Sequence, residues 1–380
     1  MLFIETNLIH NFLKIFIITS YLFSASSQEL LDKGIFKLYN YELDEAVLLL
    51  DSAYVVDPLH PVPPFVSIAT KWLHSQTIDG YKISYDVLYA EVDKTIPIYE
   101  ELIEKYPENA EYVLYLGSTY GIRARVALAT KNWLQVIYSG YKGYRYTHIA
   151  RKIDPELSDV FMPIGLMEFF SCMASSPVRL AAKVAGITPD CELGISHLED
   201  AVVGGGYSRI EAGNALTYIY LYFLNEPEAA LQHISPLSDE HPQNPFFAAL
   251  KGEALALTAK WSELEEFYPH LEILSTKGPF LQKNETQLKI KYIRAIQKFS
   301  HNNIESTIDH TTWIINNYHM EFDWLLGKAH LLRGKCYDLL DNREKAIGDY
   351  KRTIKLDNYF PEGDIAKGLI KKPYSENEPN

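Results

Sequence analysis

The chain has 380 residues, 47% of them hydrophobic, and a formal net charge of −13. That length and apolar content supply a substantial core, while the acidic balance argues against nucleic acid, whose phosphates it would repel, and against broad binding to anionic membranes. Three cysteines, Cys172, Cys191 and Cys336, are too few for a disulfide-built scaffold.

At the amino terminus Lys14 precedes an apolar run from Ile15 to Phe23, and Ser24-Ala25-Ser26 supplies small residues for cleavage. This order predicts a secretory signal peptide over 1–26, with an apolar run too short to cross a bilayer as a mature helix. An uncleaved anchor or a misassigned start is the competing reading, because the stretch before the run is long and includes Glu5. Removing 1–26 deletes one Glu and one Lys, so the mature charge stays the same.

Helix signals then recur in pairs. Asp44-Glu45-Ala46, Leu50, Ala53 and Asp57-Pro58 read as a second helix with its stop, and Gly34 stands twelve residues before Ala46. Thr95, Tyr99, Leu102 and Pro107 repeat the pattern, with Pro97 expected in the opening turn of that helix. Leu116-Gly117-x-x-Tyr120 reads as a first helix, but its partners Ala150 and Pro155 come about a dozen residues late, which predicts an insertion. Gly194, Leu198 and Ala201 lead to Gly204-Gly205-Gly206, and Ala230, Ile234, Leu237 and Pro242 restore the second-helix spacing. Two divergent pairs are expected from Phe246 to about Ser275 and from Gln287 to about Tyr318. The clearest pair comes last. Gly334 and Tyr337 precede a turn at Asp341-Asn342, and Arg343 to Lys355 carries Ala346, Ile347, Tyr350 and Ile354 on one face. We expect Gly334 and Ala346 to face each other so that the helix axes approach closely, with Asn358 closing the unit.

These spacings resemble tetratricopeptide repeats (TPR): a small residue and an aromatic in one helix, then an Ala and an aromatic four apart in the next. The resemblance implies an all-α fold, a right-handed α-solenoid of about eight antiparallel helix pairs over 27–370, with enlarged units about 110–206. HEAT-like and Sel1-like pairs have overlapping periods and would leave that architecture intact. Phe360 to Ile370 is expected to cap the last pair, and 371–380, KKPYSENEPN, to be a disordered tail. Residues 110–225 also resemble the central region of the tetratricopeptide-repeat-protein-39 family and its bacterial relatives, through Gly165, Pro177, Gly186, Asp190, Gly194 and Leu198. Where that family has a Leu-Pro-Pro step, this chain has Ser175-Ser176-Pro177. The resemblance implies an adaptor without catalysis.

Catalytic and metal motifs are missing from the sequence. Gly334-Lys335-Cys336 lacks the upstream glycine and the hydroxyl of a P-loop, and there is no Gly-x-Ser-x-Gly elbow or His-Glu-x-x-His. His197 beside Glu199 and Asp200 reads as a solvated helix face. Cys172 and Cys191 pair only if their helices abut; otherwise all three cysteines are small buried residues. We therefore expect no enzyme activity, cofactor or metal. The candidate partner-binding residues are Tyr138, Tyr141, Lys142, Tyr144, Arg145 and Tyr146, since tyrosine offers contact area with few rotatable bonds. The expected function is an exported, periplasmic or envelope scaffold that holds a protein or peptide in its concave groove, without nucleic acid and without stable membrane insertion. The alternative is a glycan- or solute-binding component that uses the Tyr-rich insertion.

Overall fold

The computed structural model describes residues 25–184, 186–356 and 361–375. Those residues form 18 α-helices and no strand. The signal-peptide stretch up to Ser24, the closing Asn358 and the last five residues lie outside the described set.

The chain divides after Gly206 into two compact units. The first holds α1 (Ser27–Tyr39) with α2 (Leu43–Val56), α3 (Val62–Asp79) with α4 (Tyr81–Lys105), and α5 (Ala110–Ala129) with α6 (Trp133–Ile153). A 3-10 turn, Ser158–Val160, then leads into α7 (Phe161–Met173), which packs on α9 (Cys191–Gly204) with the short α8 (Ser176–Val184) between them in sequence. The second unit begins with α10 (Arg209–Tyr218), which continues as a π-helix (Ile219–Leu224) and pairs with α11 (Pro227–Glu240). It goes on with α12 (Pro245–Leu257) and α13 (Trp261–Leu274), α14 (Phe280–Ser300) and α15 (Ile304–Asn316), α16 (Trp324–Leu339) and α17 (Arg343–Lys355), and ends in α18 (Glu362–Lys371). Eight helix pairs and a final single helix are thus present among the described residues, and the fold is an all-α, TPR-like helical repeat.

One turn recurs in five of these hairpins. Tyr41, Lys131, Ala259, Asn302 and Asp341 all have φ between 52 and 59°. Each donates its N–H to the carbonyl three residues back, and the following residue donates to the carbonyl five back, as in Asp341 to Asp338 and Asn342 to Tyr337. This is the Schellman arrangement, which satisfies the last carbonyls of the first helix. The residue after the left-handed one is the N-cap of the second helix, and where it is Asn132, Asn303 or Asn342 its side chain accepts the backbone N–H of that helix's third residue. In the α10–α11 hairpin the π-helix lengthens the ring by one residue, so Glu226 donates to Tyr220 instead.

The turn sets which residues meet across a hairpin. Gly334 faces the ring of Tyr350, not Ala346: a Cβ on Gly334 would lie 2.5 Å from Tyr350 Cε1. A Cβ on Gly34 would likewise lie 2.8 Å from Leu50, so in both pairs a small residue is covered by a large one sixteen positions later. Ala346 packs instead with Leu331, Tyr350, Ala366 and Leu369, which joins α16, α17 and α18 in one apolar cluster. In the first unit α7 and α9 approach backbone on backbone. A Cβ on Gly165 would meet the Gly194 carbonyl oxygen at 2.6 Å, and one on Gly194 would meet the Gly165 oxygen at 2.8 Å, so α7 and α9 cross at their glycines.

Three expectations need correction. Pro97 lies inside the 25-residue α4, not in an opening turn. Its ring is exposed, so the Asp93 carbonyl left without an N–H partner is placed where water can reach it. The dozen extra residues between Tyr120 and Ala150 do not form an insertion; they lengthen the hairpin, giving α5 20 residues and α6 21. Finally, the start of the tail is engaged: the Tyr374 N–H donates to Asp338 Oδ2 at 2.9 Å, and its ring packs on the Tyr350 cluster.

The covered glycine gives a direct test. Tyr350 is fully buried and donates its hydroxyl to Asp338 at 2.8 Å, so its ring cannot swing away from a new methyl group. Gly334→Ala is expected to cost about 1–3 kcal/mol in denaturant unfolding. Gly121→Ala, where nothing lies within 4 Å of the added Cβ, is expected to be neutral or to gain up to about 1 kcal/mol from helix propensity.

Candidate functional site

The six residues singled out from the sequence all lie on α6, and its helical phase separates them. Tyr138, Lys142 and Tyr146 recur every four residues and form a stripe against Tyr120 of α5. Tyr120 stacks on Tyr146 at 6.0 Å and meets Tyr138 edge-on at 6.3 Å. The Lys142 ammonium lies 5.4, 5.8 and 5.6 Å from the ring centroids of Tyr120, Tyr138 and Tyr146, within cation–π range of all three. Burial, then the nearby Glu100 carboxylate, pushes the Tyr120 phenol up to about 12. Tyr144 points the other way. It is buried with Ala182, Ile187 and Met167, its ring 4.2 Å from that of His148, and it fastens α8 to α6. Tyr141 and Arg145 are exposed. Tyr120 was missed because its spacing from Gly117 reads entirely as hairpin architecture.

Two other sequence expectations change in the first unit. His197 is buried, not solvated: its Nδ1 lies 2.6 Å from Glu168 Oε2 on α7, and Phe161 stacks on its ring. Burial pushes the Glu168 carboxyl up, against the pull of His197. Cys172 and Cys191 are joined as a disulfide with Cα atoms 5.5 Å apart, and Cys336 is a free buried thiol. That bond ties the end of α7 to the start of α9 across α8.

In the second unit, ionisable side chains meet on buried faces of the first helices. The Tyr222 hydroxyl, from the π-helix, donates to Glu253 Oε2 of α12 at 2.8 Å. Lys289 of α14 lies 3.5 Å from Glu285, and Lys328 of α16 lies 3.0 Å from Glu362 of α18. Burial raises the Glu253 carboxyl and lowers the Lys289 ammonium. For Lys328 burial is outweighed by Tyr292, Glu362 and Glu253, which hold it charged. Charges removed from water this way must be paired, and the Tyr222–Glu253 and Lys328–Glu362 contacts, which join different helices, each tolerate one alignment of those helices. Among the described residues, no group of three His, Cys, Asp or Glu side chains is placed to hold a metal ion.

The opposite face of α16 is open. Leu326, His330, Arg333 and Tyr337 form the floor of a groove of about 690 Å³, with Ile315 of α15 on one side and Lys345, Asp349 and Arg352 of α17 on the other. Its volume is in the range of sites that hold ligands. Asp349 organises the floor: Arg333 donates to both its oxygens at 2.8 Å, and His330 Nδ1 lies 2.7 Å from Oδ1. Arg333 also donates to Thr312 at 3.0 Å, which fixes α15 to α16. Lys345 and Arg352 are exposed on the groove wall, with the Lys345 ammonium 5.3 Å from the Tyr337 ring. Nothing in the local sequence marks this site, because its residues come from three helices and read singly as surface charge.

Burial disfavours the Asp349 anion, yet the Arg333 and His330 hydrogen bonds hold its carboxyl below the ordinary value. A depressed carboxyl stabilises the fold above its unfolded pKa of about 4, and that contribution is lost as pH falls through the lower folded value. Asp349→Asn is therefore expected to cost about 3 kcal/mol at neutral pH. Urea unfolding at stepped pH should show this gap narrowing as pH falls below about 4, where the unfolded-state carboxyl protonates, and closing only once the depressed native carboxyl is protonated too.

No protein-family model matches the chain, and no curated protein matches it. Solved structures similar to it include a tetratricopeptide repeat protein from Parabacteroides merdae ATCC 43184, 11% identical, covering 91% of this chain and 97% of that one, with a TM-score of 0.31. The human IFIT1 dimer with PPP-AAAA is 12% identical over 87% of this chain and 93% of that one, with a TM-score of 0.33. Yeast Tom70 is 10% identical over 91% and 95%, with a TM-score of 0.28. The TPR-like character of the chain rests on its own hairpins, with the repeated turn and the small residue beneath a large one.

Proposed function

We propose that this chain is an exported, non-catalytic scaffold that holds an extended acidic segment of a protein partner in the groove floored by α16. The observation that carries this reading is the charge of the groove: Arg333, Lys345 and Arg352 against the single Asp349, in a chain of net charge −13. Asp349 and the Arg333 head satisfy each other, so Lys345 and Arg352 are the cations offered to a ligand. Tyr337, Ile315 and Leu326 give apolar footing between them, which suits a segment that alternates acidic and apolar side chains. The groove lies between consecutive pairs, where stacked hairpins offer an elongated surface.

Export is supported by the apolar run from Ile15 to Phe23 and by the Cys172–Cys191 bond, since disulfides persist in oxidising compartments. Protein recovered from its native compartment and denatured without reductant should then react with a thiol reagent at one cysteine, rising to three after reduction. Three reactive thiols at the outset would refute the oxidised, exported form. Cys172→Ser with Cys191→Ser should lower stability by roughly 3 kcal/mol, the expectation for a loop of this size.

Binding is tested by fluorescence anisotropy with a library of labelled peptides, each compared with its Glu/Asp to Gln/Asn counterpart. Acidic peptides should bind better, and Lys345→Glu with Arg352→Glu should weaken them at least tenfold without changing thermal unfolding. Equal binding of acidic and neutral peptides, or binding unaffected by the double variant, would refute the groove as the site.

A further inference from the structure

Charge along this chain is strongly segregated. From Tyr112 to Ile153, through most of α5 and all of α6, there is no Asp or Glu and there are seven Lys or Arg. Between Phe169 and Pro189, around α8, acidic residues are again absent while Arg179 and Lys183 are present. The Tyr144–Ala182–Ile187 cluster holds these two basic segments side by side.

The same helices expose large apolar side chains. On α6 Trp133, Leu134, Ile137, Tyr138 and Tyr141 all face solvent, Leu134 at 83% exposure. Their positions, one and four apart, form a single stripe along the helix. On α8 Val178, Leu180 and Val184 are exposed, Val184 also at 83%. Exposed Arg145, Arg179 and Lys183 are interleaved with them. Apolar side chains this far out of the core mark an interaction surface. A helix partner would be expected to meet a groove; α6 and α8 instead present projecting side chains, with tryptophan and tyrosine on α6, aliphatic residues on α8 and cations on both. That chemistry suits the headgroup region of a bilayer, where aromatic rings settle at the interface and Lys and Arg reach anionic lipids. Among the described residues no helix is long and apolar enough to cross a membrane, so the contact would be peripheral.

We propose that the α6–α8 face is a docking surface for an anionic lipid bilayer, on which Trp133, Leu134 and Ile137 enter the interface and Arg145, Arg179 and Lys183 engage headgroups. This surface is independent of the α16 groove, so either can fail without the other.

The test is cosedimentation of the full chain with vesicles of equal parts phosphatidylcholine and phosphatidylserine, and with phosphatidylcholine alone. The chain should partition onto the mixed vesicles, release in high salt, and stay in solution with phosphatidylcholine. Arg179→Gln with Lys183→Gln should lower the partition coefficient about thirtyfold. Leu134→Ser with Ile137→Ser should lower it at least tenfold. Circular dichroism should be unchanged in both, and Lys345→Gln with Arg352→Gln, in the groove, should bind vesicles as the parent does. Equal partition onto both vesicle types, no partition at all, or full partition by the folded α6 and α8 variants would overturn the proposal. Binding to soluble polyglutamate without binding to vesicles would also overturn it and assign the face to an acidic protein.

Discussion

The hairpin turn is the constraint from which the rest of the structure follows. A left-handed residue that is not glycine costs of order 1 kcal/mol, and this chain accepts it at Tyr41, Lys131, Ala259, Asn302 and Asp341. The compensation is local, because the two N–H groups of the turn satisfy carbonyls that the first helix would leave open. With the path of the turn fixed, the second helix starts at a fixed rotation. Leu50 therefore arrives over Gly34, and Tyr350 over Gly334, at the same separation of sixteen residues in pairs three hundred residues apart. Helix propensity alone would make the helices; the turn decides which faces touch.

Within that frame the two units stabilise their interiors differently. In the first, α7 and α9 approach until backbone meets backbone at Gly165 and Gly194, and the Cys172–Cys191 bond holds them together near one end of that crossing. Close approach of this kind gains dispersion over many atoms, and beside it His197 of α9 and Glu168 of α7 form one buried polar pair. The second unit relies on several buried polar contacts between helices, including the ion pair of Lys328 with Glu362 and the hydrogen bond from the Tyr222 hydroxyl to Glu253. Such pairs add little net stability over an apolar core, but a misaligned helix would strand a charge away from water. Asp338 does similar work at the end of the chain, where it accepts hydrogen bonds from Tyr350, Arg343 and the Tyr374 backbone, while Arg343 also donates to the final carbonyls of α18.

What the sequence made legible was whatever depends on neighbours a few residues away. The helix from Arg343 to Lys355, the turn at Asp341-Asn342 and the stops near Pro58, Pro107, Pro155 and Pro242 follow from periodicity, capping and proline, all local effects. The left-handed residues at Tyr41, Lys131 and Ala259 were not legible, because their side chains have no preference for that conformation and adopt it under the closure of the hairpin. Gly334 is a point of close approach, as its spacing implies, but the side chain over it is Tyr350 and not Ala346, since counting residues across a turn requires knowing its shape. The candidate site was less legible. Of the six residues read on α6, Tyr138, Lys142 and Tyr146 gather around Tyr120, while Tyr144 is core. The groove was invisible because Thr312, Arg333, Asp349 and Arg352 become neighbours only when three helices pack.

The layering of the pairs explains where chemistry can reach solvent. In the second unit the first helices pack on one another, α12 on α14 and α14 on α16, so each has hairpin partners on one side and its counterparts on the other. The ionisable groups on those mutually packed faces are consequently enclosed, as Glu253, Lys289 and Lys328 are, and are committed to partners within the fold. The second helices keep a free flank. On α17 that flank carries Lys345 and Arg352, and on α6 of the first unit it carries Arg145 with the exposed tryptophan and leucine. Net charge averages over these layers and reports only acidity. The cations that an external ligand could meet are concentrated on second helices, so the outward flank of the repeat, rather than the enclosed faces of its first helices, is where recognition by this chain is to be sought.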